Sequence, residues 1–471
     1  MGKKFYITTA IDYANDVIHI GHAYQKVIAD VIARYHRLLG QEVFFLTGVD
    51  EHGAKVQRAA DAKGFDPQNF VDKISAEDQR QLSLLNVVPD RFIRTTDSDH
   101  IKKVKEFWLK VKEKGDIYLA DFHGLYCEGC EEYKTESDLV DGHCPYHPKL
   151  KIEELQEKNY FFRWSKYKDF LKQHILSHKD FLRPEASKKE MLSFLNQDLK
   201  DISISRQKQN VSWGVPVPGD SKQTIYVWFD ALINYLTGAP QDFWPADLHL
   251  LGKDNTRWHA LLWPAMLKSA GYLLPRTIYS HGFLSLNGQK ISKSLGNIIR
   301  PQELVDKFTS DGARYVLVGC KSLADDGDMS WQKITNTYNA DLANGLGNLV
   351  ARLAKLCQLS KLEFIVKAPD FSQVAVGEYQ RKMEDYRLNE VLGFIWGKIK
   401  TVDRYLNQEK PWEIKNKTRL RSSLQKAVVH VLEIAVLLAP FLPQTSEKIK
   451  KIFIGKEIVS CSSLFPRIKN D

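Results

Sequence analysis

The sequence predicts an α/β fold built on a parallel sheet and followed by an all-helical C-terminal region. Three observations carry this. First, the β-type segment Phe5-Tyr6-Ile7-Thr8-Thr9 passes through His19-Ile20-Gly21-His22 into a helix pattern, with apolar Tyr24, Val27, Ile28, Val31, Ile32, Tyr35 and Leu39. Second, Gly40 sits where a helix stop belongs, and the buried-strand run Val43-Phe44-Phe45-Leu46-Thr47 follows it, reached by a right-handed crossover. Third, from about Ile334 onward only amphipathic helix patterns remain.

A strand that turns through a small His/Gly motif into a helix presents backbone N–H groups and a positive dipole end to a phosphate. His19 and His22 add donors, and Gly21 allows close approach of a nucleotide. The second strand ends in Gly48-Val49-Asp50-Glu51-His52-Gly53. Ligands of open parallel sheets bind outside the carboxyl ends of the strands, so Asp50 and His52 are expected beside the His19/His22 turn. Asp50 is suited to a substrate ammonium or to capping the helix that follows, and the two roles are compatible.

Asp66 to Gly115 reads as helical, interrupted by a strand at Arg91-Phe92-Ile93-Arg94. Between Ile117 and His147 short aromatic segments alternate with turns. This stretch carries Cys127 and Cys130, thirteen further residues, then Cys144 and His147. Two close pairs, each on a tight turn, form the thiolate/imidazole set that zinc prefers, and four protein ligands make the metal structural. A redox C-x-x-C does not explain the second pair. His123 and His143 are alternatives to His147. Cys320, Cys357 and Cys461 read as small core residues.

Asn159 to Trp164 reads as a strand, with helical patterns to about Lys200. Thr224-Ile225-Tyr226-Val227-Trp228-Phe229-Asp230 reads as re-entry into the buried sheet, with a helix starting at Ala231. Trp228 on the strand end and Tyr235 on the helix are candidates for an apolar pocket. Leu248 to Asp254 is the next strand, and a helix from about Arg257 to Ala270 carries His259 on the face of Leu262, Trp263 and Met266. After the strand Thr277–Phe283, the loop Asn287–Asn297 holds Lys290, Ser292, Lys293 and Ser294. Such a loop can close over phosphates, its ammonium groups neutralising developing charge.

The 471 residues suffice for roughly three domains. Hydrophobic content of 43% with 27% charged residues excludes a disordered chain. No apolar run is long enough to span a membrane and no signal-peptide region opens the chain, so a cytoplasmic protein is expected. A net charge of +9 is compatible with a polyanionic partner.

His19-Ile20-Gly21-His22 together with Lys290-Ile291-Ser292-Lys293-Ser294 resembles the paired signatures of class I aminoacyl-tRNA synthetases. Within that class the chain is similar to the methionyl-tRNA synthetase family over nearly its whole length. The similarity runs through Tyr6–Ala10, Phe44–Gly53, the single zinc knuckle, Tyr226–Ala231 and Trp263–Leu267. It implies a Rossmann-type catalytic domain with an inserted zinc-knuckle connective domain and a C-terminal α-helical bundle. The implied first half of the catalytic domain is 1–115. The insertion is 116–224, with its knuckle at about 123–150, and the second catalytic half is 225–289. The lysine loop and stem-contact region is 290–333, and the anticodon-binding helical domain is 334–471.

Carried over by position, the family's methionine pocket falls on Ile11, Tyr13, Asp50, Trp228, Ala231, Tyr235 and His259. ATP falls on His19, Gly21, His22, Lys290 and Lys293, the two histidines and two lysines being the implied catalytic set, with Mg²⁺ accompanying ATP. One structural Zn²⁺ falls on Cys127, Cys130, Cys144 and His147. Asn348, Arg352 and Trp412 would read the anticodon, amid the basic Arg404, Lys410, Lys415, Lys417, Arg419 and Arg421, an exposed tryptophan being able to stack on a splayed base. Taken alone, Trp412 reads equally well as a helix-packing anchor. The implied partners are L-methionine, ATP and methionine tRNA, initiator and elongator, with no membrane. Because the chain stops at Asp471 without an appended tRNA-binding domain, a monomer is expected.

Three positions depart from the family. Asp12 stands where relatives commonly carry proline or tyrosine, Asn255 where isoleucine is usual, and Leu232 where proline is common. A buried Asn255 would leave polar groups to satisfy. A cysteinyl enzyme of the class would need a cysteine before the histidine motif, and none precedes Cys127. The editing insertion of a leucyl-type enzyme finds little room between Gly115 and Thr224. An inactive RNA-binding paralogue would have lost the histidines and lysines that are present here.

Overall fold

The computed structural model describes residues 3–469 apart from 128, 130–131, 135, 146, 292–296 and 375–376, and apart from the side chains of 122–123, 132–133, 137, 155–157 and 290. Cys130, Lys293 and the side chain of Lys290 therefore lie outside the described residues.

A seven-stranded sheet organises the first two thirds of the chain. Its strands are β1 (Lys4–Thr9), β2 (Asp12–Tyr13), β3 (Glu42–Asp50), β4 (Arg91–Arg94), β5 (Leu182–Arg183), β6 (Leu248–Gly252) and β7 (Thr277–His281). The order is β2-β3-β1-β6-β7-β5, with β4 also on β3, and every pairing is parallel. Period-two alternation sends Phe5 and Ile7 into one core and Tyr6 into the other. Both faces are covered, which is why β1 and β6 read as unbroken apolar runs.

Helix α1 (Ile20–Leu38) crosses from β1 to β3. It stops as predicted: Leu39 is the cap and Gly40 takes φ of 75°, a left-handed conformation that glycine adopts without steric cost. The strand order reverses at β1, between β3 and β6, so the carboxyl end of β1 and the start of α1 stand at the crevice where such sheets bind ligands.

The structure corrects two strand expectations. Asp220–Ile225 pairs antiparallel with Ser205–Gln207 and Pro216–Val217 in a small separate sheet, and Val227–Ala231 is a short helix. Thr224–Asp230 therefore does not re-enter the parallel sheet. Trp228 sits on a helix, not on a strand end. A short apolar aromatic run cannot be assigned by periodicity alone, and here packing of Phe229 against Phe107 and Trp108 selects the helix. The sheet instead gains β5, two residues inside a stretch that reads as helical.

The C-terminal part is helical: α2 (Pro301–Gly319), α3 (Asn348–Ser360), α4 (Leu388–Glu409), α5 (Lys417–Leu438) and α6 (Pro443–Phe453). No strand follows Met329 among the described residues, as the sequence pattern predicts. Their apolar faces share one continuous core with α1, including Val27, Phe308, Leu353, Ile395, Val428 and Ile449. Among the described residues no helix is long and apolar enough to cross a membrane. Cys357 is buried in this core, and Cys320 and Cys461 pack half-buried against it.

Candidate active site and nucleic-acid interface

The start of α1 is closed by two imidazoles. His19 is the N-cap in an extended conformation, and its Nδ1 accepts from the Gly21 N–H at 3.0 Å. The Nδ1 of His22 accepts in return from the His19 N–H at 3.3 Å. This is a capping box built from histidines, and the rings stack with centroids 3.9 Å apart. A neutral imidazole that accepts at Nδ1 carries its proton on Nε2, so Nε2–H is the donor of each ring. Burial, and then the neighbouring His22, push the His19 pKa down to about 2, so this ring is neutral at physiological pH. A Cβ at Gly21 would stand 2.8 Å from the His19 ring, so glycine is required for the cap as well as for ligand approach.

The lysine loop springs from a tight hairpin. Asn287 (φ 51°) and Gly288 (φ 73°) join Leu284–Leu286 to Gln289–Lys290, as a two-residue turn with both φ positive demands. Beyond the loop, the Ile299 carbonyl accepts from the N–H of Ile20, the first residue of α1, at 2.9 Å. Arg300 then donates to the carbonyls of Val17 (2.7 Å) and Ile18 (3.3 Å) and pairs with Asp16. The outgoing limb of the loop is thus bonded to the histidine turn. Arg300 is a tie that its sequence surroundings did not announce, because its partners are main-chain oxygens about 280 residues away.

Most of the expected pocket residues come together beside this turn. Tyr13 and Asp50 are register partners on β2 and β3, and Ala14 N–H donates to the Asp50 carbonyl at 2.8 Å. The Tyr13 ring meets Trp228 edge-on at 6.5 Å. Trp228 stacks on Trp258 at 4.9 Å and meets His259 edge-on at 6.2 Å. Ala231 lies one turn beyond Trp228, and Ile11 packs half-buried against the same core. His259 donates from Nδ1 to the Asn255 carbonyl at 2.9 Å and accepts at Nε2 from the Tyr235 hydroxyl at 2.7 Å. Burial pushes the His259 pKa down to about 4 and the Tyr235 phenol upward, so both are neutral. The result is an aromatic cluster of Tyr13, Trp228, Trp258, Tyr235 and His259, with Asp50 paired in register with Tyr13.

The three departures find places. Asn255 is only half-buried, and its main-chain carbonyl, which any residue supplies, is what orients His259. Leu232 is buried in the core. Asp12 pairs at 2.5 Å with the fully buried Lys26, whose ammonium also donates to the Ala10 carbonyl and to Gln25. Buried charge is tolerated because it is paired and hydrogen-bonded.

In the knuckle, Cys127 Sγ, Cys144 Sγ and His147 Nδ1 lie within 4.8 Å of one another. His147 Nδ1 is 3.8 Å from Cys127 Sγ and 4.0 Å from Cys144 Sγ. A tetrahedral zinc with Zn–S of about 2.3 Å and Zn–N of about 2.0–2.1 Å requires edges of about 3.5–3.8 Å, which the two S–N separations meet or exceed by about 0.2 Å, so the type and grouping of the donors suit zinc. A Cβ at Gly129 would meet the His147 ring at 2.4 Å, so glycine lets the two turns close on each other. His143 is exposed and stands outside the cluster, whereas Cys130 and the His123 side chain fall outside the described residues.

Among the C-terminal helices, Arg352 on α3 donates to Asp403 (3.0 Å) and Asn407 (2.6 Å) of α4, and its guanidinium lies 5.3 Å from the Trp412 ring centroid. Trp412 is 53% exposed, so it is not a packing anchor. Asn348, also exposed, lines an adjoining cleft of about 450 Å³ with Asn344, Asp403, Arg404 and Asn407.

A family model described as tRNA synthetases class I (M) matches residues 5–154 and 147–354. The methionine–tRNA ligase of Thermotoga maritima is 41% identical over 95% of this chain and 74% of its own length. That of Synechocystis sp. is 40% identical over 94% of this chain and 88% of its own length. The chain belongs to the methionyl-tRNA synthetases of class I. The Mycobacterium tuberculosis methionyl-tRNA synthetase solved in complex with methionyl-adenylate matches the fold with a TM-score of 0.92 at 36% identity, covering 99% of this chain and 100% of that one.

Proposed function

We propose that the chain activates L-methionine with ATP to methionyl-adenylate and transfers the methionyl group to the 3′ end of methionine tRNA, initiator and elongator. The observation that carries this reading is the aromatic pocket of Tyr13, Trp228, Tyr235 and His259 built beside the double-histidine cap of α1. An unbranched, polarizable thioether suits such walls, and Asp50 accepts the substrate ammonium. Ile11 and Ala231 complete the methionine site.

In the first step a methionine carboxylate oxygen attacks the α-phosphorus of ATP, and the bond to the pyrophosphate oxygen breaks. His19 and His22 donate from Nε2 to the phosphates, Gly21 admits them to the α1 N-terminus, and Lys290 and Lys293 neutralise the departing charge. Mg²⁺ bound with ATP would add charge neutralisation. In the second step the terminal ribose hydroxyl of the tRNA attacks the activated carbonyl and AMP leaves. The protein forms no covalent bond to substrate, so placement and electrostatics supply the catalysis.

The knuckle would hold one structural Zn²⁺ on Cys127, Cys130, Cys144 and His147. Asn348, Arg352 and Trp412 would read the anticodon, Trp412 by stacking on a splayed base. The division at 1–115, 116–224, 225–289, 290–333 and 334–471 assigns activation to the sheet and anticodon reading to the terminal helices. We take the enzyme to act as a monomer in the cytoplasm, where its tRNA substrates are. Amino-acid-dependent ATP–pyrophosphate exchange, run with all twenty amino acids, tests this. Methionine alone is expected to support exchange, and Lys293→Ala is expected to cut it with metal content unchanged. Exchange with a different amino acid would overturn the substrate assignment.

A further inference from the structure

Three buried side chains next to the pocket form a cluster that the proposed chemistry does not use. The Asp230 carboxylate is fully buried. One oxygen lies 2.6 Å from His52 Nδ1 and the other 2.9 Å from His100 Nε2. His100 is fully buried and His52 nearly so. An unpaired carboxylate at this depth would be held protonated by desolvation. Here the two imidazoles outweigh that cost and hold the pKa of Asp230 at about 2, so it is an anion that accepts twice. Acceptance at both oxygens requires a proton on the nitrogen facing each: Nδ1 of His52 and Nε2 of His100.

The position of this cluster matters more than its strength. His52 lies two residues past Asp50, where β3 ends, and the Trp213 ring packs on it edge-on at 5.7 Å. Asp230 belongs to the short helix Val227–Ala231, which also carries Trp228 and Ala231. His100 belongs to the helix Ser98–Glu113 behind both. That five-residue helix has no side-chain cap, and its own hydrogen bonds are too few to hold its orientation. Asp50 and Trp228 come from segments nearly 180 residues apart, and Asp230 is the direct polar tie between those segments.

We propose that Asp230 is a positioning residue for amino-acid recognition: it fastens the Trp228–Ala231 wall to the Asp50 end of β3 through His52, with His100 bracing it from behind. The pocket then reads the ammonium and the side chain of its substrate at a fixed separation. The ATP side of the crevice, built on α1 and the lysine loop, does not pass through this tie. The inference rests on the methionine-activating reading above, and its tests separate the two.

The first test is spectroscopic and needs no turnover. In histidine-¹⁵N-labelled protein, His52 is expected as the Nδ1–H tautomer and His100 as the Nε2–H tautomer, each with a strongly downfield ring proton that Asp230→Asn abolishes. The opposite tautomers would overturn the arrangement. The second test is ATP–pyrophosphate exchange with Asp230→Asn, whose amide keeps the shape but cannot accept from both rings. The KM for methionine is expected to rise at least tenfold while the KM for ATP stays within twofold. His100→Gln, remote from substrate and able to donate one hydrogen bond, is expected to raise the methionine KM about threefold and covers the case in which Asp230→Asn does not fold. Equal increases in both KM values, or an unchanged methionine KM, would overturn the positioning role. A wild-type chain that exchanges with another amino acid would overturn the methionine reading, and the same KM split is then measured with that amino acid.

Discussion

His19 closes the helix through Nδ1, and under the proposed mechanism its Nε2 has a second, separable task as a donor to phosphate. The cap contributes about 1 kcal/mol, and one donor to developing phosphate charge is worth about 10²–10³ in rate. The two tasks can be separated by substitution. His19→Ala is expected to lose about 1 kcal/mol of stability and about two orders of magnitude in exchange rate. His19→Asn, an efficient N-cap with an oxygen acceptor for Gly21 N–H, is expected to recover the stability and not the rate. Thermal melting alongside exchange kinetics checks this, and recovery of both by asparagine would mean that His19 acts only as a cap. The motif itself was plain in the sequence. That the two rings cap each other, and so leave Nε2–H as the donor on both, depends on distances near 3 Å that no spacing encodes.

At the scale of elements, the knuckle and the short helix at Val227 show opposite degrees of legibility. The grouping of Cys127, Cys144 and His147 was legible because a metal-ligand pattern would keep residue types at fixed local spacing. Cys144→Ser is accordingly expected to remove about one zinc per chain, measured by elemental analysis, while the parallel-sheet core still melts cooperatively. Zinc retained in that variant would exclude Cys144 as a ligand. Val227–Ala231 misled the reading because Val, Trp and Phe favour strands in general, and the helix is selected only by the aromatic neighbours that tertiary packing supplies. The two-residue strand β5 was equally hidden, since two residues carry no periodicity.

Across the whole molecule, a buried ion pair joins α1 to the C-terminal helices. Arg314 of α2 pairs with Asp30 of α1 at 2.8 Å and donates to the carbonyls of Phe441 (2.8 Å), Pro440 (3.0 Å) and Leu85 (3.1 Å). Asp30 also pairs with Arg34 at 2.6 Å. The segment between α5 and α6 is therefore held against α1 by directed bonds as well as by the shared core. Arg314→Met removes the donor from three buried carbonyls and leaves Asp30 with Arg34 and the Val88 N–H. It is expected to cost about 3 kcal/mol, near the low end for breaking a buried pair because Arg34 remains. Urea unfolding measures this, and a loss below about 1 kcal/mol would show that the apolar core alone joins the two parts.

The sequence by itself determined the α/β class, the histidine turn, the knuckle spacing, the lysine loop and the family, because each rests on residue types at short, fixed separations. Tertiary structure decided everything that depends on residues far apart in the chain. It brought Tyr13 against Trp228, turned the run before Ala231 into a helix, and paired Asp12 with the buried Lys26. It also set His52 and His100 on the two oxygens of Asp230. Periodicity reports which face of an element is apolar. Which charged or aromatic group meets it from the far end of the chain is settled only when the sheet is assembled and low-dielectric burial leaves each polar group dependent on the partner it finds.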